Sequence, residues 1–169
     1  MEGGLLRTAF DASLFVGSSR CVSDQATAER RFVLFVYGTL LSREPSHDLL
    51  DGARALGPAK TPPSFGLFDL GPYPAMVVGG TTAVAGELYD VSASMLATLD
   101  VHEEVPILFK RIRIALDDGS EAQTYVLDAD QVRGRRRIRA GDWRGRFGAT
   151  PTPGVRDAPF VRWARGRNR

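Results

Sequence analysis

The chain has 169 residues, of which 43% are hydrophobic and 25% charged, a composition typical of a soluble globular protein with one packed core. No apolar run approaches the roughly 20 residues of a membrane-spanning helix, and Glu2, Arg7 and Asp11 interrupt the N-terminal apolar stretch, so we expect neither a membrane anchor nor a secretory signal. The net charge of +2 divides into −8 over residues 1–130 and +10 over residues 131–169, an acidic body followed by a basic, arginine-rich segment.

The first segment, residues 1–31, shows little sustained periodicity and is interpreted as an N-terminal extension. It holds the single cysteine, Cys21, which cannot form an internal disulfide. A lone cysteine is compatible with a reducing compartment, and we expect the protein to be cytoplasmic.

A buried strand is predicted for the apolar run from Phe32 to Tyr37, which has strand length and no polar alternation. The run stops at Gly38 and continues as Thr-Leu-Leu-Ser rather than as an ordinary polar turn. Two interpretations stay open for this stretch alone: a strand that simply gives way to a loop, or a loop whose bare backbone approaches a ligand.

The middle of the chain alternates between short strand-like and helical patterns. Residues 43–56 have the pattern of a short helix, with Leu49, Leu50 and Ala53 on one side. Residues 61–80 contain two short strands separated by Gly-Pro, and residues 82–91 alternate as a further strand.

A helix is predicted from Ser92, a plausible N-cap, to Glu104, since Pro106 ends it. Residues 110–128 then form two alternating runs around Asp-Asp-Gly, the pattern of a hairpin.

The arginine-rich segment begins after the hairpin. It retains Ile138 and Trp143 as core candidates, and residues 145–169 are interpreted as a flexible tail. This order of elements predicts an α+β fold with many short strands, either a small mixed β-barrel or a strongly curved sheet.

The predicted helix directs one carboxylate toward the core. On a helical wheel, Met95, Leu96 and Leu99 form the apolar stripe, and Glu103 falls within roughly 35° of its centre, whereas Glu104 points away. Burial raises the pKa of a carboxyl group, and a general acid or base that works near neutral pH needs such a shift. Alternatively, Glu103 turns outward at the helix end or pairs with a nearby arginine, Arg111 or Arg113.

Other chemistries are less well supported. His47 and His102 lie far apart without metal-like spacing of other ligands, and Cys21 lies in the unpatterned extension, so we expect no metal site and no cysteine nucleophile. The sequence contains neither a phosphate-binding glycine loop nor a serine nucleophile elbow. Nucleic-acid binding is disfavoured because no aromatic stacking platform accompanies the arginines.

The segments FVYGTLL, FGLFDLGPYPAMVVGG, VAGELYDVSASMLATLDVHEEVPILFKR, EAQTYVLD and IRAGDW together resemble the γ-glutamylcyclotransferase-like family, in particular its γ-glutamylamine cyclotransferase branch with the AIG2-like proteins. The resemblance covers residues 32–144 and leaves residues 1–31 and 145–169 outside. It implies a compact mixed β-barrel flanked by helices, with a cavity at one end.

The resemblance also implies an enzyme that releases 5-oxoproline and a free amine from a small γ-glutamyl substrate, without metal or organic cofactor. The substrate's α-amino group attacks its own γ-carbonyl carbon. The family's catalytic glutamate falls on Glu103. The family's Tyr-Gly-x-x loop falls on Tyr37, Gly38, Thr39 and Leu40, which are the implied substrate-binding residues. Tyr125 matches a family tyrosine near the pocket and equally fits a plain strand aromatic. Tyr73, before Pro74, is a further substrate-binding candidate, either as pocket wall or as turn packing.

Two positions depart from the family pattern. Phe109 replaces a tyrosine whose hydroxyl lines the pocket, and Glu104 stands where many members have glycine. Two other functions stay open at this point. One is the removal of a γ-glutamyl protecting group from a biosynthetic intermediate, and the other is a non-catalytic module that binds a small ligand.

Overall fold

The computed structural model describes residues 29–147, so Cys21, most of the predicted extension and most of the predicted tail lie outside the described residues. The elements follow in chain order: β1 (Arg31–Val36), a 3-10 turn (His47–Leu50), β2 (Arg54–Lys60), β3 (Phe65–Asp69), β4 (Pro74–Val78), β5 (Ala85–Ser92), α1 (Ala93–His102), β6 (Lys110–Ala115), β7 (Glu121–Val126), a 3-10 turn (Ala129–Val132), β8 (Arg136–Arg137) and a 3-10 turn (Arg144–Phe147).

Two sheets organise the fold. The larger has the strand order β2-β5-β1-β7-β6, with β1 at its centre, antiparallel to β5 and parallel to β7. The smaller has the order β4-β3-β8. The predicted α+β class is therefore confirmed.

The predicted small mixed β-barrel flanked by helices is wrong for the described residues, because the two sheets do not close into a barrel and α1 is the only α-helix among these residues. A barrel closes when the free edge of its first strand pairs with that of its last. Strand β4 lies next to β7, but the two strands form no ladder, and β7 belongs to the larger sheet through β6 and a single residue pair with β1, Leu34 and Gln123.

The hydroxyl of Tyr37 crosses the gap between the sheets. It donates a hydrogen bond to the carbonyl oxygen of Tyr125 in β7 (2.8 Å) and accepts one from the backbone N–H of Met76 in β4 (3.2 Å). Two residues after Tyr125, the N–H of Leu127 donates directly to the Met76 carbonyl oxygen (2.9 Å). A side chain thus satisfies buried backbone groups that a strand pairing would otherwise have satisfied.

The predicted helix over residues 43–56 is also wrong. Only His47–Leu50 forms a turn of 3-10 helix, after which Gly52 adopts a left-handed conformation (φ +85°) and the chain enters β2. Strand β2 pairs with β5 at the edge of the larger sheet. An edge strand tolerates Pro58, which lacks a backbone N–H, because no neighbouring strand accepts hydrogen bonds on its outer side. Tertiary pairing therefore overrides the local helical pattern.

The remaining elements match the predictions. Ser92 caps α1, and its Oγ accepts a hydrogen bond from the Met95 N–H (3.2 Å). The predicted strands within residues 61–80 and 82–91 and the hairpin over 110–128 are present. Ile138 and Trp143, at 4% and 1% exposure, anchor the arginine-rich segment in the core.

The predicted burial of the first strand on both faces applies only to the second half of β1. Leu34, Phe35 and Val36 are buried, whereas Val33 is partly exposed. Among the described residues, no helix combines the length and the apolar character that crossing a bilayer requires.

The Tyr37 bridge predicts a specific loss of stability. Tyr37→Phe leaves the Met76 N–H and the Tyr125 carbonyl without their partner in a buried gap, so we expect the free energy of unfolding to fall by about 2 kcal/mol. Urea denaturation of the two proteins measures the difference. A change below about 0.5 kcal/mol would show that water or strand movement replaces the bridge.

Candidate active site

A cavity opens where β1 ends, between the start of β4 and the end of α1. It holds about 360 Å³ of empty space, its open mouth included. All seven residues singled out from the sequence line it, together with four more, and the complete set is Phe35, Val36, Tyr37, Gly38, Thr39, Leu40, Tyr73, Pro74, Glu103, Phe109 and Tyr125. Residues distant in the sequence are therefore neighbours in one site.

Glu103 contributes the ionisable group of this cavity. It follows the last residue of α1, and its backbone N–H continues the helical pattern by bonding the Leu99 carbonyl (2.9 Å). Burial raises the pKa of its carboxyl group to about 8. No hydrogen bond or ion pair to this carboxylate occurs among the described residues, so nothing offsets the loss of solvation.

The arginines that were alternative partners for Glu103 are engaged elsewhere. The Arg111 Nε lies 3.2 Å from the Asp100 Oδ1, and an Arg113 guanidinium nitrogen lies 3.5 Å from the Glu121 carboxylate. The interpretation of Glu103 as the partner of an arginine is therefore wrong.

The loop after β1 presents backbone donors at the cavity. The Gly38 carbonyl accepts from the Leu41 N–H (3.0 Å), which closes a turn. Within the described part of the chain, the N–H groups of Gly38, Thr39 and Leu40 donate to no protein acceptor. All three residues line the cavity, so three consecutive amides without a protein acceptor belong to its wall.

Gly38 is required by its neighbour across the cavity. A Cβ atom at this position would lie 2.6 Å from the Pro74 Cγ, a distance that side-chain contacts do not tolerate. The absence of a side chain at Gly38 thus lets the start of β4 pack directly against the loop, which brings Tyr73 and Pro74 into the cavity wall.

The three tyrosines of the site differ in what their hydroxyl groups can do. The Tyr37 hydroxyl is consumed by the bridge between the sheets, and burial raises its pKa. The Tyr125 hydroxyl donates to the Asp100 Oδ1 (2.9 Å). Tyr73 is half-buried, and its ring packs against Phe109 at 6.0 Å between centroids.

Charged side chains act on Tyr73 in the cavity wall. Burial raises the pKa of Tyr73, and the negative charges of Glu103 and Glu104 raise it further, while the positive charge of Arg135 acts in the opposite direction. The Phe109 ring, 5% exposed, completes this wall without a hydroxyl group.

Glu104 occupies a left-handed backbone conformation (φ +52°), which favours glycine. This conformation explains why a glycine suits the position. The sequence predicted that Glu104 faces solvent, whereas the structure places it half-buried, with its charge acting on Tyr73.

Sequence reasoning missed Asp100 and Arg111 as parts of the site. Asp100 lies one helical turn before Glu103 and receives both the Tyr125 hydroxyl and the Arg111 guanidinium on one oxygen. The signal was present, because Asp100 is the aspartate of the Leu-Asp-x-x-Glu motif and Arg111 follows Phe109 by two residues.

A second missed cluster supports the loop from behind. The Glu87 carboxylate accepts hydrogen bonds from the Ser42 N–H (2.9 Å), the Ser42 hydroxyl (2.8 Å), the Tyr89 hydroxyl (2.8 Å) and the Arg144 guanidinium (2.9 Å). Arg144 also donates to the Ser42 carbonyl oxygen and hydroxyl. Burial acts to raise the pKa of Glu87, but these hydrogen bonds outweigh it and lower the pKa to about 2.

The two histidines lie outside the cavity lining. A ring nitrogen of His47 lies 3.0 Å from the Leu40 carbonyl oxygen, so this side chain supports the loop after β1. His102 is partly buried, and burial lowers its pKa. No group of three or more His, Cys, Asp or Glu side chains is placed to hold a metal ion within residues 29–147.

The family model described as gamma-glutamyl cyclotransferase, AIG2-like, matches residues 34–145. The chain belongs to this family. A Vibrio cholerae protein named as a candidate gamma-glutamylcyclotransferase is 39% identical over 111 residues, which cover 66% of this chain and 94% of the relative. The resemblance drawn from the sequence motifs is thereby confirmed.

Two vertebrate proteins extend the comparison. A gamma-glutamylaminecyclotransferase from Bos taurus is 33% identical over 111 residues, which cover 56% of this chain and 61% of the bovine protein. The crystal structure of an AIG2-like protein from Mus musculus shares 29% sequence identity with a TM-score of 0.53, covering 57% of this chain and 77% of that one.

The raised pKa of Glu103 predicts how stability depends on pH. The folded state holds this proton up to about pH 8, while the unfolded state releases it near pH 4.5, so the free energy of unfolding falls as pH rises between these values, by up to about 1.4 kcal/mol per pH unit. We expect Glu103→Gln to remove this slope. Urea unfolding at pH 5 and pH 8 tests it, with Glu104→Gln as the neighbouring control that keeps the slope.

The lowered pKa of Glu87 predicts the opposite behaviour in acid. The Glu87 carboxylate contributes fully to the free energy of unfolding above about pH 4.5. This contribution is lost as pH falls toward about 2, where the carboxylate takes up a proton. We expect Glu87→Gln to cost about 2 kcal/mol at pH 7 and progressively less below pH 4.5. Glu121→Gln, which removes an exposed ion pair, is the matched control. A constant difference at all pH values would contradict the assignment.

Proposed function

We propose that this protein is a γ-glutamylamine cyclotransferase, which releases 5-oxoproline and a free amine from a γ-glutamyl amine. The observation that carries the proposal is the cavity in which the Glu103 carboxyl group, with a pKa raised to about 8, lies among the same lining residues as three backbone amides without acceptors. The name of the bovine relative, gamma-glutamylaminecyclotransferase, favours an amine as the leaving group.

Glu103 acts first as a base and then as an acid. The neutral α-amino nitrogen of the substrate attacks its own γ-carbonyl carbon, and the Glu103 carboxylate takes the proton that this nitrogen loses. The C–N bond to the leaving amine then breaks as the Glu103 carboxyl group returns the same proton to the departing nitrogen. The products are the five-membered lactam and the amine, and the carboxylate is regenerated.

The raised pKa suits both halves of this cycle. A carboxyl group with an ordinary pKa near 4.5 would be a weak base toward an amine. With its pKa near 8, Glu103 holds the proton more strongly, yet it releases the proton to an amine nitrogen, which is more basic still. Its isolation from arginine side chains is therefore part of the mechanism.

The loop Gly38–Leu40 supplies the anion site. During attack, negative charge develops on the γ-carbonyl oxygen, and the substrate also carries an α-carboxylate. Amides that donate to no protein atom are available for either oxygen without first breaking another bond. Since the attack is intramolecular, the cavity mainly holds the glutamyl chain curled, which provides a large effective concentration.

Activity on γ-glutamyl amines tests the proposal directly. We expect 5-oxoproline to form from γ-glutamyl derivatives of primary amines, with kcat/KM rising with pH until about 8. Glu103→Gln removes the proton carrier, so kcat/KM falls by about 10³. Glu121→Gln, on the exposed hairpin, retains activity.

Two outcomes would contradict the proposal. Full activity in Glu103→Gln would exclude this residue as the base. Tight binding of γ-glutamyl compounds without 5-oxoproline formation by the wild-type protein would instead indicate a binding module.

A further inference from the structure

Tyr125 belongs to the cavity lining, and the charge of Glu103 acts on its phenol group. The hydroxyl donates its proton to the Asp100 Oδ1 at 2.9 Å. A phenol has one proton to donate and two lone pairs to offer. With the proton committed to Asp100, the hydroxyl presents only lone pairs to any other neighbour.

The direction of this hydrogen bond is fixed by Arg111. Its Nε lies 3.2 Å from the same Asp100 oxygen, and the two side chains are 29% and 26% exposed. A carboxylate paired with a guanidinium offers only lone pairs, so it accepts hydrogen bonds and donates none. The tyrosine must therefore be the donor in this contact.

Asp100 and Glu103 lie one helical turn apart, so the anchored phenol is held beside the proposed base. The charge of Glu103 acts on Tyr125, Tyr37 and Tyr73. The ionisable groups around the base are these three tyrosines together with Asp100 and Arg111 behind Tyr125, and Glu104 and Arg135 beside Tyr73. Like the Tyr125 hydroxyl, the Tyr37 hydroxyl donates its hydrogen bond to an acceptor other than Glu103, in this case the backbone carbonyl of Tyr125.

We propose that Asp100, held by Arg111, is a positioning residue that turns the Tyr125 hydroxyl so that its oxygen accepts a hydrogen bond from the substrate's α-amino nitrogen. This inference rests on the proposed function, in which that nitrogen must be held next to Glu103. The arrangement withholds the phenol proton from Glu103, where it would stabilise the carboxylate and weaken the base. It also separates the two ends of the substrate, with acceptors near Tyr125 and amide donors in the Gly38–Leu40 loop.

The experiment measures the pKa of Glu103 by ¹³C NMR titration of its carboxyl group, a readout that requires no turnover. In Asp100→Ala, the Tyr125 proton is released and donates to Glu103, so we expect the pKa of Glu103 to fall by about one unit, since a hydrogen bond to the charged form favours that form. The low-pH limb of kcat/KM shifts down by the same amount.

A double-mutant cycle assigns the effect to the phenol. The Asp100→Ala/Tyr125→Phe double variant has no phenol proton that could be donated to Glu103. We therefore expect the pKa of Glu103 in the double variant to equal that in Tyr125→Phe alone. The same fall in both backgrounds would show that the charge of Asp100 acts on Glu103 directly, and no fall in either would show that the phenol keeps its orientation. Either result overturns the proposal.

Tyr125→Phe alone is a second test that does not depend on the stability of the Asp100 variant. We expect KM for a γ-glutamyl amine to rise about tenfold with a smaller change in kcat, while the pKa of Glu103 does not fall. Unchanged KM would overturn the role as acceptor. Asp90→Asn, which removes a carboxylate paired with Arg31 and Arg54 but with no tyrosine, is the control and leaves KM and the pKa of Glu103 unchanged.

A failure of the proposed function is distinguishable from a failure of this inference. If wild-type protein forms no 5-oxoproline, the measurements of kcat/KM and KM give no result and the proposed function is wrong. The NMR titration of Glu103 still decides whether Asp100 controls the Tyr125 proton. If 5-oxoproline forms and the titration shows no coupling, the function stands and the positioning role is wrong.

Discussion

The fold depends on one hydroxyl group at the place where two sheets meet without pairing. Tyr37 joins the Met76 N–H of one sheet to the Tyr125 carbonyl of the other, two buried backbone groups that no strand ladder satisfies. The cavity opens beside this junction, since Tyr37 and Tyr125 belong to its lining together with Tyr73 and Pro74 at the start of β4. The proposed site therefore lies where the two sheets meet without forming a common ladder.

Electrostatic isolation distinguishes Glu103, the proposed base, from Asp100 and Glu87. Asp100 and Glu87 each contact donors, whereas within residues 29–147 no donor side chain contacts the Glu103 carboxyl group. The difference follows from the groups that contact each carboxyl group. The helix places Asp100 against Arg111 and turns Glu103 to the cavity, so one carboxylate is fixed as an acceptor and the other remains able to exchange a proton. In the proposed mechanism, two acids one helical turn apart thus have separate roles.

The site was more predictable from the sequence than the architecture was. Helical periodicity alone placed Glu103 on the inner face, because the pattern of Met95, Leu96 and Leu99 is local and the helix formed as expected. The motifs of the family then located the loop that it faces. Barrel closure was not predictable in this way, since it depends on which strand edges remain free, and Tyr37 and Tyr125 are 88 residues apart. Strand β2 was missed because its edge position tolerates residues that a central strand excludes.

Arg144 bonds Ser42, 102 residues earlier in the chain, at the end of the loop that lines the cavity. Although this arginine contributes nothing to the apolar core, it fastens the C-terminal part of the domain to the loop after the first strand. The last buried side chain within residues 29–147 is Trp143, and the Arg146 guanidinium stacks on its ring, 3.3 Å from the ring centroid. A shortened version of the chain that stops at Trp143 would lose this contact and the hydrogen bonds from Arg144 to Ser42, so any fusion or truncation has to begin beyond Arg146.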